Sequence, residues 1–452
     1  MSLSRPLFRT LPLATAVVLA FASSAQAQSL VEMYEAARGY DAGFISAKAQ
    51  FEANLAKANQ SLGGILPNIA LSASATRTYF EGRNDNGAAW AISPNPRTYG
   101  TGVGAVTLVQ PIYRPAAWAA YRQGGYQLQQ AAAQFEAAEQ DLLIRVSQAY
   151  FDVLTSEDSL ALVQAQKKAV AEQLASAQRN FEVGTATITG VRDAQARFDL
   201  ANAQEIAGEN DLRIKRLALD LAVGLSNAKP KRLANNTKLI AAPTEDVNTW
   251  VTQSETTSPA VRQAQLGLDI ASQEVNKATA GHKPTIDAQV SYAGIRNVDG
   301  SATSPSGSHI FNPSAAVVLN MPIFAGFSTM YKVKEAVALE DKARSDYENA
   351  RRATAQATRT AYFGLMAGLS QVKAYEAAEA SSQSALDANK LGYSVGVNIN
   401  IDVLNSQSQL YQTKRDLAKA RYDVLVTNLK LRQAAGTLTP ADLQPINDLL
   451  AP

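Results

Sequence analysis

The sequence contains no cysteine among its 452 residues, and it has only two histidines, His282 and His309. The missing cysteines exclude disulfide bonds, thiolate metal sites and a cysteine nucleophile. Neither histidine lies in a ligand motif, and the chain has no H-E-x-x-H, no G-x-S-x-G and no phosphate-binding glycine loop. We therefore expect neither an enzyme nor a cofactor or metal site.

An excess of charge of one sign is also absent, since 42 Lys and Arg residues face 40 Asp and Glu residues. This balance predicts no nucleic-acid partner, which would need a strongly basic surface. Beyond residue 27, the chain has no run of the roughly 18 apolar residues that a membrane helix needs. Residues 1–27 carry two arginines, a short apolar core and the triplet Ala25-Gln26-Ala27. This pattern predicts a secretory signal peptide, and a membrane anchor is disfavoured because the apolar run is too short.

What the sequence does contain is a long internal repeat. The stretch NFEVGTATITGVRDAQAR at Asn180–Arg197 returns 212 residues later as GYSVGVNINIDVLNSQSQ at Gly392–Gln409. The trio Ala149-Tyr150-Phe151 returns with the same offset. A constant offset over this distance indicates a tandem duplication. We expect structural repeats at 28–228 and 259–440, a linker or equatorial segment at 229–258, and a C-terminal tail at 441–452.

Each repeat predicts the same order of elements: a helix, two strands, a long helix and a return helix. Alternation of apolar and polar residues predicts strands at 68–79, 99–110, 285–296 and 311–321. Dense Ala, Gln, Leu and Glu predict 69-residue helices at 115–183 and 327–395, each about 100 Å long. The other helices are expected at 30–62, 191–223, 259–280 and 402–435.

The second strand of each pair is followed by a proline, Pro111 or Pro322. Proline cannot donate to a strand ladder, so both residues are expected to close their strands at a strand-to-helix turn. Residues 80–97 and 297–309 are rich in Gly, Ser, Asn and Pro and are expected to form loops between the paired strands.

The strands have the length and the two-faced pattern of a membrane wall. A tilted membrane strand needs roughly 9–11 residues, with one apolar face and one small polar face. Four strands cannot close a barrel, so we expect the chain to share one with copies of itself. The alternative is a soluble antiparallel sheet with one buried face.

The helices predict coiled-coil packing. The last helix carries apolar residues with a strict spacing of seven, which is typical of a coiled-coil seam: Val403, Leu410, Leu417, Val424 and Leu431. A polar stripe runs beside this seam: Asn398, Asp402, Asn405, Gln409, Gln412 and Asp416. In a tube of helices, such a stripe fits the inner or the outer surface equally well.

Both copies of the repeated stretch contain a Val-Gly pair, Val183-Gly184 and Val395-Gly396. A glycine after a long helical run is a C-cap signal. We therefore expect both pairs at the tips of long helical hairpins, and we expect the tips to form the gated end of a tube.

Signal peptide, duplicated half, strand pair, strand-ending proline, long helix and Val-Gly tip together resemble the TolC family of outer-membrane efflux and secretion channels. The resemblance is most specific in Tyr393–Gln407, in Leu431–Leu438 and in the Pro-Ile-aromatic turns at Pro111 and Pro322. It implies a TolC-like α+β membrane protein with four β-strands and long coiled-coil helices per chain. It further implies a homotrimer with a 12-stranded β-barrel in the outer membrane and an α-helical barrel in the periplasm.

The resemblance also implies a function. The protein would be the passive outer-membrane exit duct of a tripartite export system in a Gram-negative bacterium, serving type I protein secretion, multidrug efflux or both. Its partners would be a periplasmic adaptor docked on the helical tips, an inner-membrane transporter of ABC or RND type, and outer-membrane lipid. The alternatives are a periplasmic adaptor protein and a structural coiled-coil surface protein, which the two hairpins and the repeated strand pairs disfavour.

In this family, two aspartates one helical turn apart narrow the periplasmic entrance. Asp402 matches the first of them, and the second position holds Asn405. The resemblance therefore implies a pore constriction at Asp402 and Asn405. The cargo cannot be named from the sequence, because a duct has no substrate pocket.

A tyrosine, an arginine and a further aspartate tie neighbouring coils together in this family. Tyr393 matches the tyrosine, whereas Asn398 and Gly190 occupy the other two positions. The resemblance thus implies inter-coil links with fewer ion pairs and an easier-opening gate. Arg192 and Asp193 lie near Gly190 in sequence and are candidates for substitute links.

Overall fold

A computed structural model describes residues 27–81, 97–234, 242–301, 304 and 306–451. Residues 1–26 of the predicted signal peptide and most of the loop at 80–97 lie outside these residues. The chain forms two compact units. The helical unit comprises Met1–Ile45, Glu139–Trp250 and Thr358–Pro452, and the sheet unit comprises Ser46–Ala138 and Val251–Ala357.

The sheet unit holds four antiparallel strands in chain order: β1 Asn68–Phe80, β2 Arg97–Tyr113, β3 Thr285–Val298 and β4 Ser308–Asn320. The β2–β3 pair joins one repeat to the other, with Gly104 opposite Gly294. The sheet therefore contains both copies of the strand pair, as the duplication predicts.

The sheet has two different faces, because its register places like residues side by side. Apolar rows cross all four strands: Leu71, Val106, Tyr292 and Pro313, then Ile69, Leu108, Val290 and Ala315. The opposite face carries small polar residues, and the hydroxyl groups of Ser291 and Ser314 lie 2.7 Å apart. The apolar face is open in the single chain, where Leu71 is 79% exposed.

Nine α-helices are described: α1 Leu30–Tyr40, α2 Ala42–Leu62, α3 Pro115–Glu182, α4 Ile188–Val223, α5 Val247–Thr257, α6 Pro259–Thr279, α7 Ser328–Ser394, α8 Asn400–Ala434 and α9 Gln444–Asn447. Short 3-10 turns lie at Ala280–His282 and Pro440–Leu443. None of the helices in the described ranges combines the length and the apolar character that a membrane crossing requires.

The heptad seam of α8 is buried, which confirms the coiled-coil prediction. Leu417, Val424 and Leu431 pack with Leu365 and Val372 of α7. Closer to the tip, the two remaining seam residues, Val403 and Leu410, pack with Leu386 of α7. Full burial of each such side chain contributes about 1.5–3 kcal/mol, so the seam is a major source of cohesion between α7 and α8.

The helix expected at 30–62 is divided in two at Asp41. The backbone of Asp41 is extended (ψ 114°), and its N–H donates to the Ala37 carbonyl, which ends α1. Its carboxylate then accepts the backbone N–H of Phe44 at 2.7 Å and caps the start of α2. Arg145 binds the same carboxylate at 2.9 and 3.1 Å and holds the pKa of Asp41 below its usual value.

The expectation that Pro111 closes its strand is wrong. β2 continues to Tyr113, and Pro111 lies opposite Asp287 of β3, next to a register shift. The proline is tolerated because β1 pairs with β2 only as far as Val109, so no residue of β1 needs an N–H from position 111. Pro322 does lie in the connection between β4 and α7.

The segment expected as a linker at 229–258 contains a helix, α5. Trp250 of α5 packs against the α7–α8 core cluster around Leu365 and Val424. The segment also forms isolated β-bridges, between Gln28 and Pro230 and between Leu233 and Leu450. In the described parts of this segment, 229–234 and 242–258, packing against distant residues thus gives structure where the prolines predict an irregular chain.

Candidate gate at the helix tips

The two tip turns have the same backbone structure. Gly184 and Gly396 adopt left-handed conformations, with φ of +78° and +76°. In the first copy, the N–H groups of the two residues after Gly184 donate to the Asn180 carbonyl at 2.8 and 3.1 Å. In the second copy, the equivalent N–H groups donate to the Gly392 carbonyl at 2.8 and 3.1 Å. A residue with a Cβ atom is strained in this conformation, so both glycines are required by the turn.

Apolar side chains project from both tips. Val183 is 72% exposed, and Val395, Val397 and Ile399 are 65%, 78% and 63% exposed. Exposed apolar side chains grouped at one place commonly mark a contact surface for another protein. The Val-Gly pairs therefore lie on the surface of the single chain.

The two return helices begin with complementary halves of a capping box. In the first copy, the Thr187 hydroxyl accepts the N–H of Gly190 at 3.4 Å. In the second copy, the corresponding residue is Ile399, whose side chain has no hydrogen-bond acceptor. Here the Asp402 carboxylate accepts the backbone N–H of Ile399 at 3.2 Å. Gly190 and Asp402 are equivalent positions, so each copy satisfies its helix start with a different residue.

Hydrogen bonds between neutral groups join the two copies. The Asn180 side chain donates to the Tyr393 hydroxyl at 3.1 Å. Asn400 is 9% exposed, and its side chain donates to the Gly190 carbonyl at 3.4 Å. Its amide oxygen also accepts a hydrogen bond from Gln173 of α3. Tyr393 and Gly190 therefore both take part in inter-coil links, although neither link is an ion pair.

Asn398 lies within its own hairpin. Its side-chain amide donates to Asn389 at 2.7 Å, and Asn389 donates to the Ser406 hydroxyl at 2.5 Å. A Cβ atom at Gly392 would lie only 2.7 Å from the Asn398 amide nitrogen, so the glycine makes room for this side chain. Asn398 thus fastens the tip turn to α7, and Asn389 joins α7 to α8 in the second copy.

One cation that joins the copies near the tips is Arg197, which sequence reasoning missed. Its guanidinium donates to Asn405 at 2.5 Å and to Ser408 at 3.4 Å. Arg192 and Asp193 are exposed, and the described residues show no hydrogen bond or ion pair at either side chain. The substitute links expected at Arg192 and Asp193 are therefore not formed within the chain.

The other missed residues are Asn400, Gln173 and Asn180. Asn400 carried only a weak signal, because polar and apolar residues alternate from Val397 to Asp402 and Asn398 and Asp402 share its pattern. Gln173 and Asn180 carried none, since α3 is rich in polar residues and only the contact with the second copy distinguishes them.

Farther along the same helices, Tyr422 of α8 donates to the Asp158 carboxylate of α3 at 2.7 Å. Burial and the adjacent carboxylate raise the pKa of Tyr422. No group of three or more His, Cys, Asp or Glu residues that could hold a metal ion is found in the described part of the chain. The arrangement at the tips can hold helices together or release them, and it offers no nucleophile and no acid–base pair.

Residues 33–225 and 250–437 match the model of a family described as outer membrane efflux protein. The chain is 31% identical to the outer membrane protein TolC of Vibrio cholerae, over 97% of this chain and 98% of that protein. It is 30% identical to TolC of Escherichia coli K12, over 95% and 87% of the two chains. It is 27% identical to the alkaline protease secretion protein AprF of Pseudomonas aeruginosa, over 95% and 89%.

Two solved structures have the same fold. The outer membrane protein VceC of Vibrio cholerae superposes with a TM-score of 0.74 at 18% identity, covering 90% of this chain and 96% of that one. The CmeC outer membrane channel of Campylobacter jejuni superposes with a TM-score of 0.77 at 16% identity, covering 93% and 89%. The TolC-like fold expected from the sequence is confirmed, and none of these proteins is named as a periplasmic adaptor.

Proposed function

Because the chain belongs to the outer membrane efflux protein family, we propose that it is the exit duct of a tripartite export system, gated by the neutral hydrogen bonds between its two helix tips. Membership of this family makes it a transport channel of the outer membrane and not an enzyme. The proposal of a gate rests on two hydrogen bonds, from Asn180 to Tyr393 and from Asn400 to Gly190. These bonds join the copies at the point where the helices turn.

The two faces of the sheet support the proposal that the sheet lies in the outer membrane. Its apolar rows are open in the single chain, and its other face is small and polar. Such a sheet matches a wall between hydrocarbon and water. Three chains, each with four strands, would complete a twelve-stranded wall, and the homotrimer is part of the proposal.

The partners follow from the tips and from the relatives. The exposed valines at both turns suit docking of a periplasmic adaptor, which would connect the duct to an inner-membrane transporter of ABC or RND type. AprF is named for alkaline protease secretion, which favours type I protein secretion as one use of the duct. Multidrug efflux is the second use that the family description favours.

Membrane fractionation tests the duct. We expect the protein in the outer-membrane fraction as a trimer that runs as a monomer on denaturing gels only after heating. A soluble periplasmic monomer would contradict the proposal, whatever the state of the gate.

The constriction is proposed at Asp402 and Asn405, with one Asp402 contributed by each chain. Three carboxylates around one axis attract a multivalent cation. We expect Asp402→Ala to weaken the block of single-channel current by a trivalent cation at least tenfold, which corresponds to about 1.4 kcal/mol.

The alanine variant also removes the cap on Ile399, which is expected to cost about 0.5–2 kcal/mol at the helix start. Asp402→Asn separates the two effects, because its side-chain oxygen can still accept the Ile399 N–H while the charge is lost. Block should weaken equally in both variants. Unchanged block in Asp402→Asn would show that the charge does not face the pore.

A further inference from the structure

A cleft of about 450 Å³ lies where α3, α4 and α8 meet, below the tips. Eleven residues line it, and none of them is Asp or Glu. Two of them are arginines, Arg197 of α4 and Arg415 of α8. The cleft therefore has two fixed positive charges and no negative charge on its walls.

Both arginines are held by neutral groups. Arg197 donates to Asn405 and Ser408, and Arg415 donates to Gln166 at 3.0 Å and to Gln412 at 2.6 Å. Amide and hydroxyl oxygens fix the orientation of a guanidinium but do not neutralise it. A guanidinium has five N–H donors, so both side chains keep donors for a further acceptor.

Two acids that follow lining residues directly in sequence, Glu205 after Gln204 and Asp416 after Arg415, have other partners. Glu205 of α4 binds Lys167 at 2.6 Å, and Asp416 accepts the side-chain amide of Gln412 at 2.9 Å. Burial lowers the pKa of Arg415, while Asp416 acts in the opposite direction. Arginine nevertheless stays charged in proteins, and no carboxylate among the described residues forms an ion pair with Arg415 or Arg197.

A third feature of the cleft points to a missing partner. The side-chain oxygen of Gln204, which lies on the cleft wall, is buried and has no hydrogen-bond donor among the described residues. A buried acceptor without a donor is unfavourable by about 1–3 kcal/mol. A ligand that carries both anionic oxygens and a hydroxyl group would satisfy the two arginines and this oxygen together.

We propose that this cleft is a binding site for a small, partly protonated oxyanion with phosphate or carboxylate groups. Two guanidinium groups on the walls of one cleft match such a ligand in charge, and each can bind its oxygens through paired N–H donors. The inference does not depend on the gate, because it concerns binding to one group of helices in the full-length protein.

Isothermal titration of the purified full-length protein in detergent tests the site. Inorganic pyrophosphate and citrate serve as separate probes, which distinguish a phosphate preference from a carboxylate preference. We expect saturable binding of at least one probe at one site per chain. Arg197→Gln and Arg415→Gln should each weaken it at least tenfold, and the double variant should show no saturable heat.

Arg192→Gln is the matched control, because it removes the same charge from α4 outside the cleft. It should bind like the wild type. No saturable binding of either probe to the wild type would overturn the proposal, and so would an equal loss in Arg192→Gln. Arg415→Lys keeps the charge and removes the planar fork, so binding weaker than wild type in a folded protein supports bidentate contact. If Arg197→Lys and Arg415→Lys both bind the probe as well as the wild type does, bidentate contact by the guanidinium groups is contradicted.

Discussion

Asn400 offers the sharpest test of how the tips are held closed. Its side chain links α8 to α3 through Gln173 and to α4 through the Gly190 carbonyl. A neutral hydrogen bond contributes about 0.5–1.5 kcal/mol, and the bond to Gly190, at 3.4 Å, belongs at the lower end. Asn400→Ala should therefore remove about 1.5 kcal/mol from the closed state.

If opening breaks both bonds, this loss raises the ratio of open to closed channels roughly tenfold, since 1.4 kcal/mol corresponds to a factor of ten. Single-channel recording in planar bilayers measures that ratio directly. Gln173→Ala should give part of the same effect. The double variant should open less than the product of the two single effects predicts, because both substitutions remove the same bond.

Asn276→Ala is the matched control, since the hydrogen bond from the Asn276 side chain stays within α6, with Gln273. Its open fraction should equal that of the wild type. The reasoning is refuted if Asn400→Ala folds and assembles normally but opens less than twofold more often. It is also refuted if the control opens as readily as Asn400→Ala.

Two further predictions concern stability. Tyr150 is buried, donates to the Lys231 carbonyl at 2.8 Å, and has its pKa raised by burial. The stability that it contributes is complete below pH 10, where unfolded tyrosine is neutral, and falls as the pH rises towards the folded pKa. Tyr150→Phe should lower the free energy of unfolding by about 1 kcal/mol at pH 8, because the hydrogen bond is lost. Above pH 10 the free energy of unfolding should fall less steeply with pH in the variant, because up to one proton fewer is released on unfolding. An unchanged slope in alkaline denaturation would contradict this. In the sheet unit, Arg114 binds Asp287 through two bonds of 2.7 Å, and the Asp287 side chain is only 12% exposed. Arg114→Ala should destabilise the protein by about 1–2 kcal/mol, measured by thermal unfolding, whereas loss of the exposed Arg344–Asp341 pair at 3.8 Å should have little effect.

The long elements could be predicted because their signals are local and repeated. Residues 115–183 were expected to be helical, and α3 is Pro115–Glu182. The seam residues Val403 and Leu431 were identified by spacing alone, and both are buried. Alternation likewise located β3 and β4, whose register then aligns Val290 with Ala315.

Features that depend on distant partners could not be predicted. Asp41 divides α1 from α2 by capping both, and Arg145, 104 residues away, binds the same carboxylate. Nothing in the sequence of α4 shows that Arg197 faces Asn405 of the other copy. The sequence shows which residues can form hydrogen bonds, but the packing of α8 on α3 and α4 decides which of them do.

The two tips show what a duplication permits once its halves diverge. Phe181 in the first copy corresponds to Tyr393 in the second, and Asn180 corresponds to Gly392. The second copy has the hydroxyl group of Tyr393 and the first copy has the side-chain amide of Asn180. The amide donates a hydrogen bond to the hydroxyl. Two tips like the first copy would lack the hydroxyl, because Phe181 stands where Tyr393 is, and two tips like the second would lack the amide, because Gly392 stands where Asn180 is. The two turns keep the same backbone conformation but have different side chains. The hydrogen bond that joins the turns depends on this difference.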